Sequence, residues 1–252
     1  MAKRPVLDIS GANGGNLLIE KHQVEIVDAD SKNPTPSLAS HGFCAIPFAA
    51  EPPADQVSAA YRQEFARLSA AAVKEHTGAA IVLGMPLMVQ ARHSNAGPVD
   101  GPISICHCDF TPTAAAMRCS QVLAQLPKPP GRVRRFAAFN VWWLARGGTQ
   151  DRPLALCDAT TLLAPDLQAG NAKVMAPDHS RAQNEIAFPR YSPRHRWYWY
   201  SKLTPERMLL FAGFDSDPSM PSMVAHSAFA NSACPPDVPP RVSIEGRCFA
   251  FW

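Results

Sequence analysis

Three residues of this 252-residue chain have the types and placement to hold one transition-metal ion: His107 and Asp109 in ICHCDFT, and His226 in VAHSAF. Two imidazoles and one carboxylate can occupy one face of an Fe(II) ion and leave the opposite face open for oxygen chemistry. Fifteen residues past His226 come Arg241, Val242 and Ser243. A guanidinium stays charged and matches a carboxylate with two parallel hydrogen bonds. Arg241, with Ser243 on the same strand face, therefore suits the far carboxylate of 2-oxoglutarate. Together these residues would make an oxygenase that uses Fe(II), O2 and a keto acid.

The elements around them must bring the three ligands to one point. His107 and Asp109 lie at i and i+2 of ISICHCDF (103–110), which reads as a strand, so both side chains point to one face. Cys106 and Cys108 then point to the other face and read as small buried apolar residues. The third ligand has to come from a distant strand. Two other readings stay open on the residues alone. His107 can be a hydrogen-bonded core histidine, with Asp109 capping a helix over 112–124. A His/Asp/His zinc site is chemically sound as well, although zinc gives Arg241 and Ser243 no task. Glu245 and Arg247 share the parity of Arg241 and Ser243 unless Gly246 introduces a bulge. They can pair with each other, or Arg247 can bind substrate.

Farther out, the spacing predicts a helix over 55–77, with Asp55 as N-cap, Val57, Tyr61, Phe65, Leu68 and Ala72 on one face, and Gly78 at the C-cap. AAIVLGMPLMVQAR (79–92) reads as a buried strand broken near Gly84 and Pro86. Residues 1–40 read as an N-terminal arm or hairpin, with strand-like NLLIE and QVEIV. GANGG at 11–15 lacks the lysine and the spacing of a phosphate loop. GFCAIPF (42–48) reads as a strand, and PKPPG (127–131) as a connection. Beyond it come RFAAFNVWWL, PLALCDA, RWYWYS, RMLLFAGF and RVSIEGRCFAFW, all strand-like. Residues 165–185 read as a long polar loop whose His179 and Arg181 could belong to a lid. A helix beside many short strands, with 25 prolines for turns and edges, predicts a mainly β fold with flanking helices. The expected architecture is a double-stranded β-helix (jelly-roll, cupin-like) barrel forming a single domain over 1–252.

Composition narrows the partners. Net charge is +3, and the only short basic clusters are RVRR (132–135) and PRHR (193–196). That footprint is too narrow for nucleic acid. No apolar run approaches the roughly 20 residues of a membrane helix, and MAKRPVLDIS has no apolar leader segment. The seven cysteines are odd in number and contain no Cys-x-x-Cys pair. The expectation is a cytoplasmic protein with reduced thiols acting on a small molecule, alone, as a homodimer or beside a pathway enzyme. Trp142, Trp143 and RWYWY (196–200) supply aromatics for a substrate pocket, or for the core.

From about residue 42 to 252 the chain resembles the hydroxylase/desaturase family of bacterial and fungal secondary metabolism. That family includes the smaller protein of the cephamycin 7-alpha-methoxylase pair and aziridine-forming fungal enzymes. The resemblance is carried by HGF (41–43), Tyr61 with Glu64, TGA (77–79), HCDFT (107–111) and FNVW (139–142). It continues in DRPLALCDA (151–159), TPERMLLFAGFDS (204–216), HSAF (226–229) and RVSIEGR (241–247). It implies a non-heme Fe(II)/2-oxoglutarate oxygenase that hydroxylates, desaturates or cyclises an amino-acid-like or natural-product substrate. Iron would be held by His107, Asp109 and His226, and the keto acid by Arg241 with Ser243 and Asn140. Asn140 and Trp142 match a segment that in the family reads Asn-Val-Trp-Arg-Pro, whereas this chain has Trp143 and Leu144 in place of Arg-Pro. The departure puts any arginine contact from that segment in doubt: it implies either a different, less anionic substrate or a role shifted to Arg92 or Arg146. Arg92, Trp142 and Arg247 are thus the candidate substrate contacts. Two other functions stay open: a non-catalytic, substrate-binding partner of another biosynthetic enzyme, and a cupin-like metalloenzyme that uses no keto acid.

Overall fold

The computed structural model describes residues 6–8, 18–53, 57–97, 100–126, 131–147, 150–175 and 181–252. The chain begins with β1 (Val6–Asp8), β2 (Ile26–Asp28), a one-turn helix α1 (Leu38–His41), β3 (Phe43–Pro47) and the long helix α2 (Ala59–Thr77). Next come β4 (Ile81–Gly84), β5 (Gln90–His93), α3 (Pro112–Ala124), β6 (Phe136–Arg146) and β7 (Leu154–Cys157). The last elements are β8 (Leu167–Met175), β9 (Arg181–Pro189), β10 (Trp197–Trp199), β11 (Arg207–Asp215), β12 (His226–Ala228) and β13 (Val242–Phe251). The fold is mainly β, as expected. The largest sheet has the order β3-β11-β6-β13-β4, with β5 paired to the first half of β13. A second sheet runs β12-β7-β10-β2 and a third β1-β8-β9.

Alternation along β6 and β13 builds two cores, one on each face of the largest sheet. Phe139, Val141, Trp143 and Ala145 of β6, with Ile244, Cys248 and Ala250 of β13, pack on Phe65, Ala66 and Val73 of α2. The opposite face sends Trp142 and Leu144 of β6, with Leu209 and Phe211 of β11, against Leu154, Leu156 and Tyr198 of the second sheet. Asn140 lies between Phe139 and Val141, so strand parity turns it to this inner face. The same parity puts Ser243, Glu245 and Arg247 of β13 there. Gly246 introduces no bulge: its register is continuous from Glu245↔Trp142 to Arg247↔Asn140, and the one shift falls between Val242 and Ser243.

Helix α2 is capped by Ser58, whose hydroxyl accepts from the Tyr61 N–H at 3.1 Å, and it ends at Gly78 in the left-handed region (φ 67°). The N-cap is therefore Ser58, three residues beyond the expected Asp55, which lies outside the described residues. Helix and sheet approach most closely at Gly84, where an added Cβ would sit 2.1 Å from the Ala66 carbonyl oxygen. Backbone cannot give way as a side-chain tip can. Gly84→Ala is expected to destabilise the protein by roughly 3 kcal/mol, the upper end for overpacking. A denaturant midpoint equal to that of the wild type would refute this seating of α2.

Several expected elements differ. Residues 103–110 form no strand; only His107 and Cys108 make isolated bridges. Residues 165–185 contain most of an antiparallel pair, β8 with β9, instead of a long loop. Among the described residues the N-terminal segment forms no hairpin: β1 joins β8 and β2 joins β10, both in parallel. GANGG and His179 lie outside the described residues, and Arg181 begins β9. Among the described residues no helix is long and apolar enough to cross a membrane.

Candidate metal centre

His107 and His226 meet through their main chains. The His107 N–H donates to the His226 carbonyl at 3.2 Å, and the His226 N–H returns a bond to the His107 carbonyl at 2.9 Å. One residue on, Cys108 exchanges two bonds with Ala187 of β9, at 2.8 and 3.0 Å. A segment with no strand of its own is thereby stitched between the second and third sheets. Cys108 packs with Cys157, Ala187 and Trp197, and Cys106 lies against the same cluster. Burial pushes both thiols well up, so neither is a thiolate ligand at neutral pH.

Each imidazole has its Nδ1 against a main-chain acceptor: His107 Nδ1 is 2.7 Å from the Ile105 carbonyl, and His226 Nδ1 is 3.2 Å from the Val224 carbonyl. A carbonyl only accepts, so Nδ1 carries the proton and Nε2 keeps a free lone pair. Both Nε2 atoms face Asp109, His107 at 3.7 Å from Oδ1 and His226 at 3.7 Å from Oδ2. One ligand atom from each of the three residues lies within 4.8 Å of the others. Protonation favours metal as well. Burial, and the neighbouring His107, lower the pKa of His226 to about 4, so it stays neutral. Burial acts to raise the Asp109 carboxyl, but Arg247, the two histidines and the Asn140 amide outweigh it and hold it at about 2. A neutral imidazole at His226 and an ionised carboxylate at Asp109 are the donor forms a divalent ion requires.

The remaining expected residues fall around this point. Asn140 Nδ2 donates to Asp109 Oδ2 at 2.6 Å, and Arg247 Nη2 donates to the same oxygen at 2.7 Å. The Glu245–Arg247 pair does not form. Glu245 instead accepts from Arg92 at 2.9 and 3.1 Å, and Arg92 also donates to Gln90 at 3.1 Å. Arg92, expected at the substrate, thus sits in a buried ion pair. Arg241 is 2 % exposed. Its Nε donates to the Arg152 carbonyl and its Nη1 to the Ser243 hydroxyl, and the guanidinium lies 5.1 Å over the Trp142 ring. Burial lowers its pKa to about 10, which leaves it charged at neutral pH. Trp142 is buried between the two larger sheets, and Trp197, Tyr198 and Tyr200 are buried too; their surroundings are core. Arg146 donates to the Pro53 carbonyl. Helix α3 is capped by Thr111, which accepts from the Ala114 N–H at 3.1 Å, so Asp109 is not its cap. The contact of Arg247 with Asp109 went unforeseen; parity placed Arg247 inward, but only the register with Asn140 brings it to the carboxylate.

A family model described as an oxidoreductase/YMDC permease-like domain matches residues 4–251. The Fe(II)/2-oxoglutarate-dependent dioxygenase nvfI of Aspergillus novofumigatus (strain IBT 16806) is 29% identical over 247 residues, covering 96% of this chain and 87% of that protein. The hydroxylase/desaturase efuI of Hormonema carpetanum is 29% identical over 201 residues, covering 71% of this chain and 67% of that one. A solved structure of the iron and alpha-ketoglutarate-dependent endoperoxidase NvfI superposes with a TM-score of 0.83 at 27% identity, over 99% of this chain and 92% of its own. With one family model spanning nearly its whole length, the chain belongs to the oxidoreductase/YMDC permease-like domain family.

Proposed function

We propose that the chain is an Fe(II)/2-oxoglutarate-dependent oxygenase in which His107, Asp109 and His226 hold the iron and Arg241 anchors the keto acid. The observation that carries this reading is the convergence of two imidazole Nε2 atoms and one ionised carboxylate within 4.8 Å. That donor set fits Fe(II) and uses only one face of the ion. Bound iron, with O2 and 2-oxoglutarate, supplies the oxidising power to take hydrogen from an unactivated carbon, with succinate and CO2 released.

The protein's share is position and exclusion of water. The Ile105 and Val224 carbonyls orient the imidazoles. Phe211 lies edge-on to His226 with ring centroids 4.9 Å apart and keeps that side dry. The charged Arg241 guanidinium matches the far carboxylate of the keto acid, and the Ser243 hydroxyl, which accepts from Arg241, keeps its own O–H to donate. No residue has to act as a general base. The two larger sheets and their shared inner core support a double-stranded β-helix barrel, with 1–252 as one catalytic domain and a small organic molecule as substrate.

The test is an anaerobic titration of the apoprotein with Fe(II) and then 2-oxoglutarate, followed by visible absorption. A charge-transfer band appearing only when both are present is the expected result. Bound iron without the band would point to a metalloenzyme that uses no keto acid, and no iron binding would point to a non-catalytic partner.

A further inference from the structure

We propose that Asn140 and Arg247 are positioning residues that tie up one oxygen of Asp109, so that the carboxylate meets the metal through Oδ1 alone. The inference rests on the metal site proposed above. Arg247 and Asn140 are directly opposed on β13 and β6, and both face inward. Their donors converge on a single atom, Oδ2, at 2.7 and 2.6 Å. Each oxygen has one imidazole Nε2 at 3.7 Å, His107 beside Oδ1 and His226 beside Oδ2, but Oδ1 has neither of the two donors. A carboxylate oxygen has two lone-pair sites, and two strong donors fill both on Oδ2. Oδ1 is left as the ligand atom.

The Asn140 amide has one workable orientation, because a flip would set its carbonyl oxygen against the carboxylate. In that orientation its Oδ1 is buried with no partner among the described residues. An apolar residue would fill the same inward position without an orphaned acceptor, so satisfaction of its own groups does not explain an asparagine here. The contact with Asp109 does. Gly213 on β11 makes room for it, since a Cβ there would come within 3.4 Å of the Asn140 oxygen and 3.1 Å of the Phe110 ring. Arg247 is likewise directed to Asp109, as Glu245 is bonded to Arg92. Together the two donors fix the orientation of the carboxylate and keep Oδ2 occupied.

Co(II) is a suitable probe, because its visible spectrum reports coordination without turnover. Asn140→Ala and Arg247→Met are expected to bind Co(II) about 10–100-fold more weakly, the usual cost of losing an outer partner, and to show a changed visible spectrum. Arg247→Lys should restore part of both. Metal-free Asn140→Ala gives up a hydrogen bond to a buried carboxylate and should melt a few degrees below wild type. The spectrum of the Co(II)-loaded protein, which a merely structural role would not move, separates the two roles, and it decides the matter if Arg247→Met does not fold. Co(II) affinity within twofold of wild type and an unchanged spectrum in folded Asn140→Ala would overturn the inference. His226→Ala is the control for the underlying reading: if it keeps Co(II), the metal site itself is misassigned, whereas if it alone loses Co(II), only the positioning role fails.

Discussion

His226→Ala protein is expected to leave a desalting column with no Fe(II), while folding normally. The substitution removes one of three donors and leaves His107 and Asp109, a pair that cannot cover one face of the ion. Losing an outer partner typically costs about 10–100-fold in metal affinity, and losing a donor costs more, enough to take binding out of the micromolar range. The fold has less at stake. The two main-chain bonds between His107 and His226 do not involve the ring, nor does the pairing of β12 with β7. What disappears is the ring contacts with His107 and Phe211 and the bond to the Val224 carbonyl, roughly 1–2 kcal/mol together. At about 2–4 °C per kcal/mol for a chain of this size, the metal-free variant should melt within several degrees of wild type. Stoichiometric iron in a folded His226→Ala protein would remove this residue from the ligand set.

How much of this was legible in the sequence depends on how local each cause is. His107, Asp109 and His226 stand out by residue type, and the fold brings them within 4.8 Å. The strand expected around the first two does not exist, yet bridges at His107 and Cys108 hold two residues extended, and that is all the side-chain alternation needs. Strands β6 and β11 were readable because nearly every position in them is apolar and buried, and β13 because its second half is. The β8–β9 pair was not. Among the described residues its buried apolar side chains are Ala172, Ile186 and Phe188, resting on Ile103 and Ile105, and Ala187 in the cluster around Cys108, while Asn171, Lys173, Gln183 and Glu185 dilute the two-residue period. The ionic partners were the least legible. Parity put Glu245 and Arg247 on one face, but it is silent on what stands opposite. Arg92 reaches Glu245 because β5 pairs with β13 in the register Arg92↔Ser243 and Gln90↔Glu245, a contact between residues about 150 positions apart.

The second large effect is expected at Arg241. Arg241→Met should bind Fe(II) with near wild-type affinity and lose the absorption that depends on 2-oxoglutarate. A hydrogen bond to a charged group contributes about 1.5–3 kcal/mol, and a guanidinium offers two to one carboxylate. Their loss is worth about 3 kcal/mol or more, which weakens keto-acid binding by over 100-fold. Methionine is the better replacement because it keeps the stem over Trp142, where the guanidinium now lies at 5.1 Å. Alanine would add a cavity in a position only 2 % exposed. Arg241→Lys should rescue poorly. One ammonium cannot reproduce the fork that now reaches both the Arg152 carbonyl and Ser243 and still present a bidentate face to a carboxylate. The contrast with His226→Ala gives the experiment its force: one variant loses iron and therefore everything after it, the other keeps iron and loses the keto acid alone. If Arg241→Met bound 2-oxoglutarate as tightly as wild type, the anchor would have to be another buried cation. Arg247 would then be the first to test, because it already sits 2.7 Å from Asp109.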